Sequence, residues 1–150
     1  MKNYNYSDMN KLVKKVFADF SQYKEDHPNL TFSLDDNCVT DDDDESIASV
    51  LIRIDKKGNV KTFTAKCSKD DIYDMNIGFM LVMLRAMGVQ YTPKALNYVW
   101  FRAINLMPTE KFIYEDKVYT TEYVGDYVVA LDEKGRTYHL GRNVYVRPVK

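Results

Sequence analysis

The sequence predicts an α+β protein: an N-terminal helix, a β-hairpin followed by two helices, and a small C-terminal antiparallel barrel. Three observations carry this. Apolar residues recur at helical spacing near the N-terminus, from Met9 through Leu12, Val13, Val16 and Phe17 to Phe20. Two β-rich runs, SVLIRID and VKTFTAKC, flank KKGN, whose Gly58 can take the positive φ of a tight turn. In the last forty residues the pattern changes to short segments rich in Val and Tyr, separated by DK, GD, EKG and GR.

Each element follows from local chemistry. Ser7 is a candidate N-cap for the first helix, which should end near Asp26, because Pro28 disfavours helical geometry in His27. Residues 29–46 hold few apolar positions and read as an exposed loop, or as a short edge strand followed by one. The hairpin occupies residues 49–67. Asp74 stands where an N-cap would precede MNIGFMLVMLRAMG, a helix apolar nearly all round and so expected to be central, with Gly88 as its stop. A third helix is expected over residues 92–107, from Thr92-Pro93 to Pro108, with Leu96, Val99, Trp100, Ala103, Ile104 and Met107 on its apolar face. The first helix should cover this layer through Leu12, Val16, Phe17 and Phe20. The expected division is a core of residues 1–107 with an acidic loop at 35–46, then a barrel at 108–150.

Composition bounds the class. Of 150 residues 45% are apolar, 13% aromatic and 29% charged, the balance of a folded globular chain. The longest apolar run, residues 77–84, is far short of the roughly 20 residues that cross a bilayer. The N-terminus lacks the apolar stretch of a signal peptide, and Cys38 and Cys67 form no disulfide framework, so a reducing cytoplasm is expected. The net charge of −1 conceals a segregation: residues 35–45 hold seven carboxylates and no cation, leaving 21 basic against 15 acidic residues elsewhere. The chain is thus a mildly basic body with one acidic strip, suited to screening that body or to reaching a basic partner.

Residues 49–84, SVLIRIDKKGNVKTFTAKCSKDDIYDMNIGFMLVML, resemble a hairpin-and-helix pattern of small uncharacterised proteins from phages and mobile elements of Gram-positive bacteria. The matching positions are Gly58, Lys61, Thr62, Cys67, Asp70, Asp71, Tyr73, Asp74 and Gly78. The methionine-rich helix, the N-terminal helix and the C-terminal barrel depart from that pattern. The resemblance implies phage ancestry and carries no shared chemistry.

The chemical candidates are few. Asp35, Asp36, Asp41, Asp42, Asp43, Asp44 and Glu45 do not fall in the register of an EF-hand loop, which needs glycine at its sixth position and glutamate at its twelfth. They read as a solvated charged loop or as a mimic of nucleic-acid phosphates that would dock on a basic partner. Cys67 with His139 could supply a thiol and a base, but a cysteine ending a strand is more often a small buried hydrophobe. His27 and His139 lack partners at metal-ligand spacing. Asp70, Asp71 and Asp74 precede a helix, where carboxylates cap free amides and favour the positive end of the dipole. With no phosphate loop, serine elbow or zinc signature, the expected class is non-enzymatic, with neither metal nor cofactor. The C-terminal segments resemble an SH3-like barrel in their strand lengths and in the turn before the last strand, and in this barrel Tyr119, Tyr123 and Tyr138 interleave with Arg136 and Arg142, a surface that could stack on bases or bind protein. Against a dedicated nucleic-acid groove, residues 108–150 carry seven positive and seven negative charges.

The functional expectation is a phage-encoded binding protein that inhibits a host defence nuclease, in the manner of an anti-CRISPR inhibitor, inside the host bacterial cell. Nucleic-acid-guided nucleases present basic channels, and the acidic strip has the charge to enter one. The alternative is a phage accessory module that binds DNA or RNA through Tyr119, Tyr123, Arg136, Tyr138 and Arg142. A sponge for a small signalling nucleotide would need a phosphate-binding loop that the sequence lacks.

Overall fold

In a computed structural model the described residues are 4–39, 47–67, 74–89 and 93–149. The chain is α+β and divides into two compact units, Met1–Tyr4 with Lys11–Thr92, and Asn5–Asn10 with Pro93–Lys150. The division after Thr92 differs from the one expected at Pro108, and the second unit also takes a short N-terminal segment. No helix among the described residues is long and apolar enough to cross a membrane.

The first unit is built on helix α1 (Met9–Asp26) from Lys11 onward, its first two residues belonging to the second unit, on strands β1 (Thr31–Val39), β2 (Ile47–Ile54) and β3 (Val60–Cys67), and on helix α2 (Met75–Ala86). The N-cap of α1 is Asp8 and not Ser7: its carboxylate accepts from the Asn10 amide at 2.9 Å. Leu12, Val13, Val16 and Phe20 are buried, while Phe17 is only half-buried. The ring of Phe20 meets Phe32 of β1 edge-on at 5.2 Å, so Phe20 is the aromatic that seats α1 on the sheet.

The three strands form an antiparallel sheet in the order β1-β2-β3. The expected hairpin is β2–β3, in register from Ile47↔Cys67 to Ile54↔Val60. The strand β1 occupies residues left largely as loop by the sequence. Its pairing with β2 shifts between Asp35 and Cys38, a bulge of the kind that disrupts an edge ladder. Its apolar positions are sparse because it is an edge strand, so alternation there is a weak signal. Helix α2 packs on β2 and β3, and its Arg85 donates to the Thr64 carbonyl. Asp74 caps it by accepting from the Ile77 amide at 3.1 Å, as the sequence indicates. Gly88, at φ 74°, ends it, with the Val89 amide returning to the Leu84 carbonyl.

The second unit overturns one helix. Residues 92–107 do not form it: the described part holds two 3-10 turns, Lys94–Asn97 and Ala103–Asn105, around strand β4 (Phe101–Arg102). The run Tyr98-Val99-Trp100-Phe101 is β-branched and aromatic, which suits extended backbone. Ala103 and Leu106 enter a sheet core, whereas Val99 and Met107, both assigned to the helical face, are exposed.

Five further strands follow: β5 (Lys111–Tyr114), β6 (Lys117–Val124), β7 (Val128–Asp132), β8 (Thr137–Leu140) and β9 (Tyr145–Pro148). The order is β4-β9-β5-β6-β7-β8, and the sheet does not close into a barrel. One face carries the core of Phe112, Tyr119, Val128, Ala130, Leu140 and Val146. Two turns, one in each unit, are built alike. The carboxylate of Asp55 accepts from the Lys57 and Asn59 amides at 2.9 Å each, and that of Asp132 from the Lys134 and Arg136 amides at 2.9 and 2.8 Å. Gly58 and Gly135 take the left-handed position at φ 83° and 80°.

Candidate functional site

The acidic strip begins in regular structure. Asp35 lies in β1 opposite Val50 and is exposed, and Asp36 continues the strand backbone. Asp41, Asp42, Asp43, Asp44 and Glu45 lie outside the described residues, as do Asp70, Asp71 and Tyr73. The strip therefore opens on a sheet edge, where the backbone is extended.

The surface expected on the barrel divides in two. Tyr119, Tyr138 and Arg136 are brought together, but as packing: Tyr119 is 5% exposed, stacks on Phe112 at 5.6 Å and meets Tyr138 edge-on at 5.2 Å. Burial, then the neighbouring Tyr138, holds the Tyr119 phenol above its ordinary pKa. Arg136 closes on Asp132 with Nε 2.9 Å from Oδ2, and the hydrogen bonds from Arg136 lower the Asp132 carboxyl despite the opposing effect of desolvation. Tyr123 stands apart, 62% exposed, beside the irregularity where the β6–β7 register shifts. Its ring lies against Gly125, where a Cβ would come within 2.6 Å of it. Arg142 is exposed and its carbonyl accepts from the Ile104 amide at 2.9 Å.

Neither histidine gathers ligands. The Nδ1 of His27 is 2.8 Å from the Tyr23 carbonyl and its ring stacks on Tyr23 at 4.0 Å. His139 lies 4.7 Å from the Tyr127 ring. Cys67 ends β3 in the first unit, whereas His139 belongs to the second. Among the described residues no group of three or more His, Cys, Asp and Glu could hold a metal ion.

Sequence reasoning missed an aromatic and cationic cluster around β4 and β9. The guanidinium of Arg147 sits 4.1 Å from the Tyr98 ring centre and 5.6 Å from that of Trp100. The two rings meet edge-on at 6.4 Å, and the Trp100 indole donates to the Ala95 carbonyl at 2.7 Å. Beside them Arg102 lies over Tyr145 at 5.4 Å and bonds its hydroxyl at 3.3 Å. All three guanidinium-to-ring distances lie within cation–π range. The local signal was hidden because Tyr98 and Trp100 fall within the run assigned to a helix, and their partners lie on the last strand.

Fold and surface together define a two-unit α+β protein whose first unit opens the acidic strip and whose second holds the cluster of Tyr98, Trp100 and Arg147. Comparison with protein-family models, with curated proteins and with solved structures yields no match.

Proposed function

We propose that the protein is a non-enzymatic binding protein of phage origin that inhibits a host defence nuclease, its acidic strip standing in for nucleic-acid phosphates. The observation that carries this reading is the placement of Asp35 and Asp36 in the extended edge strand β1, at the head of the seven-carboxylate run. An extended strand advances about 3.3 Å per residue, close to the roughly 3.4 Å between charges along one DNA strand. A segment carrying successive carboxylates in extended form has a linear density of negative charge of the same order as one nucleic-acid strand, its side chains alternating between two faces, and such a density suits a basic nucleic-acid channel. In this reading the site of action is the bacterial cytoplasm, and the second unit is an opened SH3-like module. The rival, DNA or RNA binding through Tyr119 and its neighbours, is disfavoured by the burial of Tyr119 and the pairing of Arg136.

The test is competition on a purified CRISPR effector nuclease. The protein should displace labelled nucleic acid from it, and a variant with Asp35, Asp36, Asp41, Asp42, Asp43 and Asp44 all changed to Asn should fail to, with an unchanged melting curve. Equal displacement by that variant would reject the mimic.

A further inference from the structure

The register of the second unit gathers cationic and aromatic residues on the face opposite its core, with Tyr145 buried among them and Lys111 exposed. Phe112 and Val146 point into the core, so their strand neighbours Lys111, Ile113, Tyr145 and Arg147 belong to the other face. The pairings Ile113↔Arg147 and Arg102↔Tyr145 continue that face across β5, β9 and β4. Every charged residue within those three strands is a cation: Arg102, Lys111 and Arg147. The carboxylates of the sheet strands, Glu122 and Asp132, lie on β6 and β7 instead.

At this end two aromatic residues are held in place while part of their surface stays open. Arg147 covers one face of Tyr98, yet Tyr98 remains 45% exposed, and Val99 beside it 58%. Asp116 approaches Arg147 at 3.6 Å; the Arg147 side chain is 18% exposed and that of Asp116 88%, so the carboxylate is the partner free to swing away and leave the exposed part of the guanidinium to a stronger anion. A part-exposed ring beside a guanidinium, next to strands whose charged residues are all cations, suits a flexible polyanion with planar bases.

We propose that this face binds single-stranded nucleic acid, a base stacking on the open face of Tyr98 and the adjoining phosphates meeting Arg147 and Lys111. A duplex is the poorer ligand, because its base faces are already stacked on one another. The site lies in the second unit and is independent of the acidic strip in the first.

Trp100 is the sole tryptophan of the chain and part of the cluster, so its emission reports binding directly. Titration with dT12 and, separately, rU12 at low salt should change that emission saturably. Tyr98→Ala should weaken binding about tenfold, as for loss of one base–aromatic stack, while Tyr98→Phe keeps it. The logarithm of affinity should fall with the logarithm of salt at a slope of about −1.4, as for two contacts at roughly 0.7 each. Arg147→Ala should also weaken binding; if that variant melts early, the Tyr98 pair decides alone. Absence of any emission or anisotropy change, equal affinity for a duplex of the same length, or unchanged affinity in Tyr98→Ala would each overturn the proposal. None of these results bears on the carboxylate variants of the first unit, so the two readings fail separately.

Discussion

The side-chain amide of Asn10 closes on both backbone groups of Tyr145: its Oδ1 accepts from the Tyr145 amide at 2.7 Å and its Nδ2 donates to the Tyr145 carbonyl at 2.9 Å. The cause lies in the neighbouring strand. By the register Ile113↔Arg147, position 115 would stand opposite Tyr145, but Glu115 and Asp116 are the β5–β6 turn, with φ of 50° and 63°. Strand β5 therefore leaves β9 before Tyr145 is paired on that side, and Asn10 supplies the missing strand's hydrogen bonds.

Asn10→Ala should destabilise the second unit by about 1–3 kcal/mol, the cost of leaving partly buried backbone groups without a partner. Asn10→Asp, which keeps the acceptor and loses the donor, should fall between wild type and Ala. Urea unfolding followed by Trp100 emission measures both, and an Asp variant weaker than Ala would contradict the bidentate bond.

In the first unit the residue that anchors α1 is Phe20, not Phe17. Phe20→Ala should cost about 3–5 kcal/mol, as for a fully buried aromatic, and Phe17→Ala clearly less, because Phe17 is half-buried. Thermal melts of the two variants rank them; equal losses would show that the α1 face is rotated from the one described.

The β2–β3 turn depends on Gly58 at φ 83°. No atom lies within 4 Å of a Cβ built there, so the penalty of Gly58→Ala is conformational alone, about 1–2 kcal/mol. Within the same turn, the amide and side-chain bonds from Asn59 lower the Asp55 carboxyl below its ordinary range. A lowered folded pKa means this support is complete above the unfolded value of about 3.9 and is lost as pH falls through the folded one. Asp55→Asn should flatten the acid limb of the stability curve, and an unchanged limb would refute that linkage.

At the alkaline end Tyr4 should dominate the first unit. Burial, then the nearby Asp19 carboxylate, push its phenol above the ordinary range, and its hydroxyl lies 3.9 Å from the Met87 sulfur. The folded state holds that proton more tightly than the unfolded chain does. The stabilisation is therefore whole below pH of about 10 and declines as pH rises toward the folded value. Circular-dichroism melts from pH 8 to 11 should show a loss above about pH 10 that is shallower in Tyr4→Phe; parallel curves would exclude Tyr4 as its source.

Where neighbours along the chain supply the forces, the sequence by itself determined the structure. The 3.6-residue spacing of α1, the Asp74 cap and Gly88 stop of α2, the glycine turn between β2 and β3, and the Val- and Tyr-rich strands after residue 110 all follow from interactions within a few residues. The composition likewise showed the acidic strip, whose first two carboxylates the structure places on an edge strand. Only the tertiary structure decided the rest. The segment after Thr92 has helical spacing, yet Phe101 and Arg102 gain more by pairing with β9, and Ala103 and Leu106 by entering the sheet core, than one exposed helix would return. Residues 31–39 became a strand because β2 offered a free edge, a fact invisible in their own pattern. Whether Tyr119 faces core or solvent, and whether Arg147 meets Tyr98 and Trp100, depends on which strands become neighbours, and hydrogen-bond pairing between distant segments sets that.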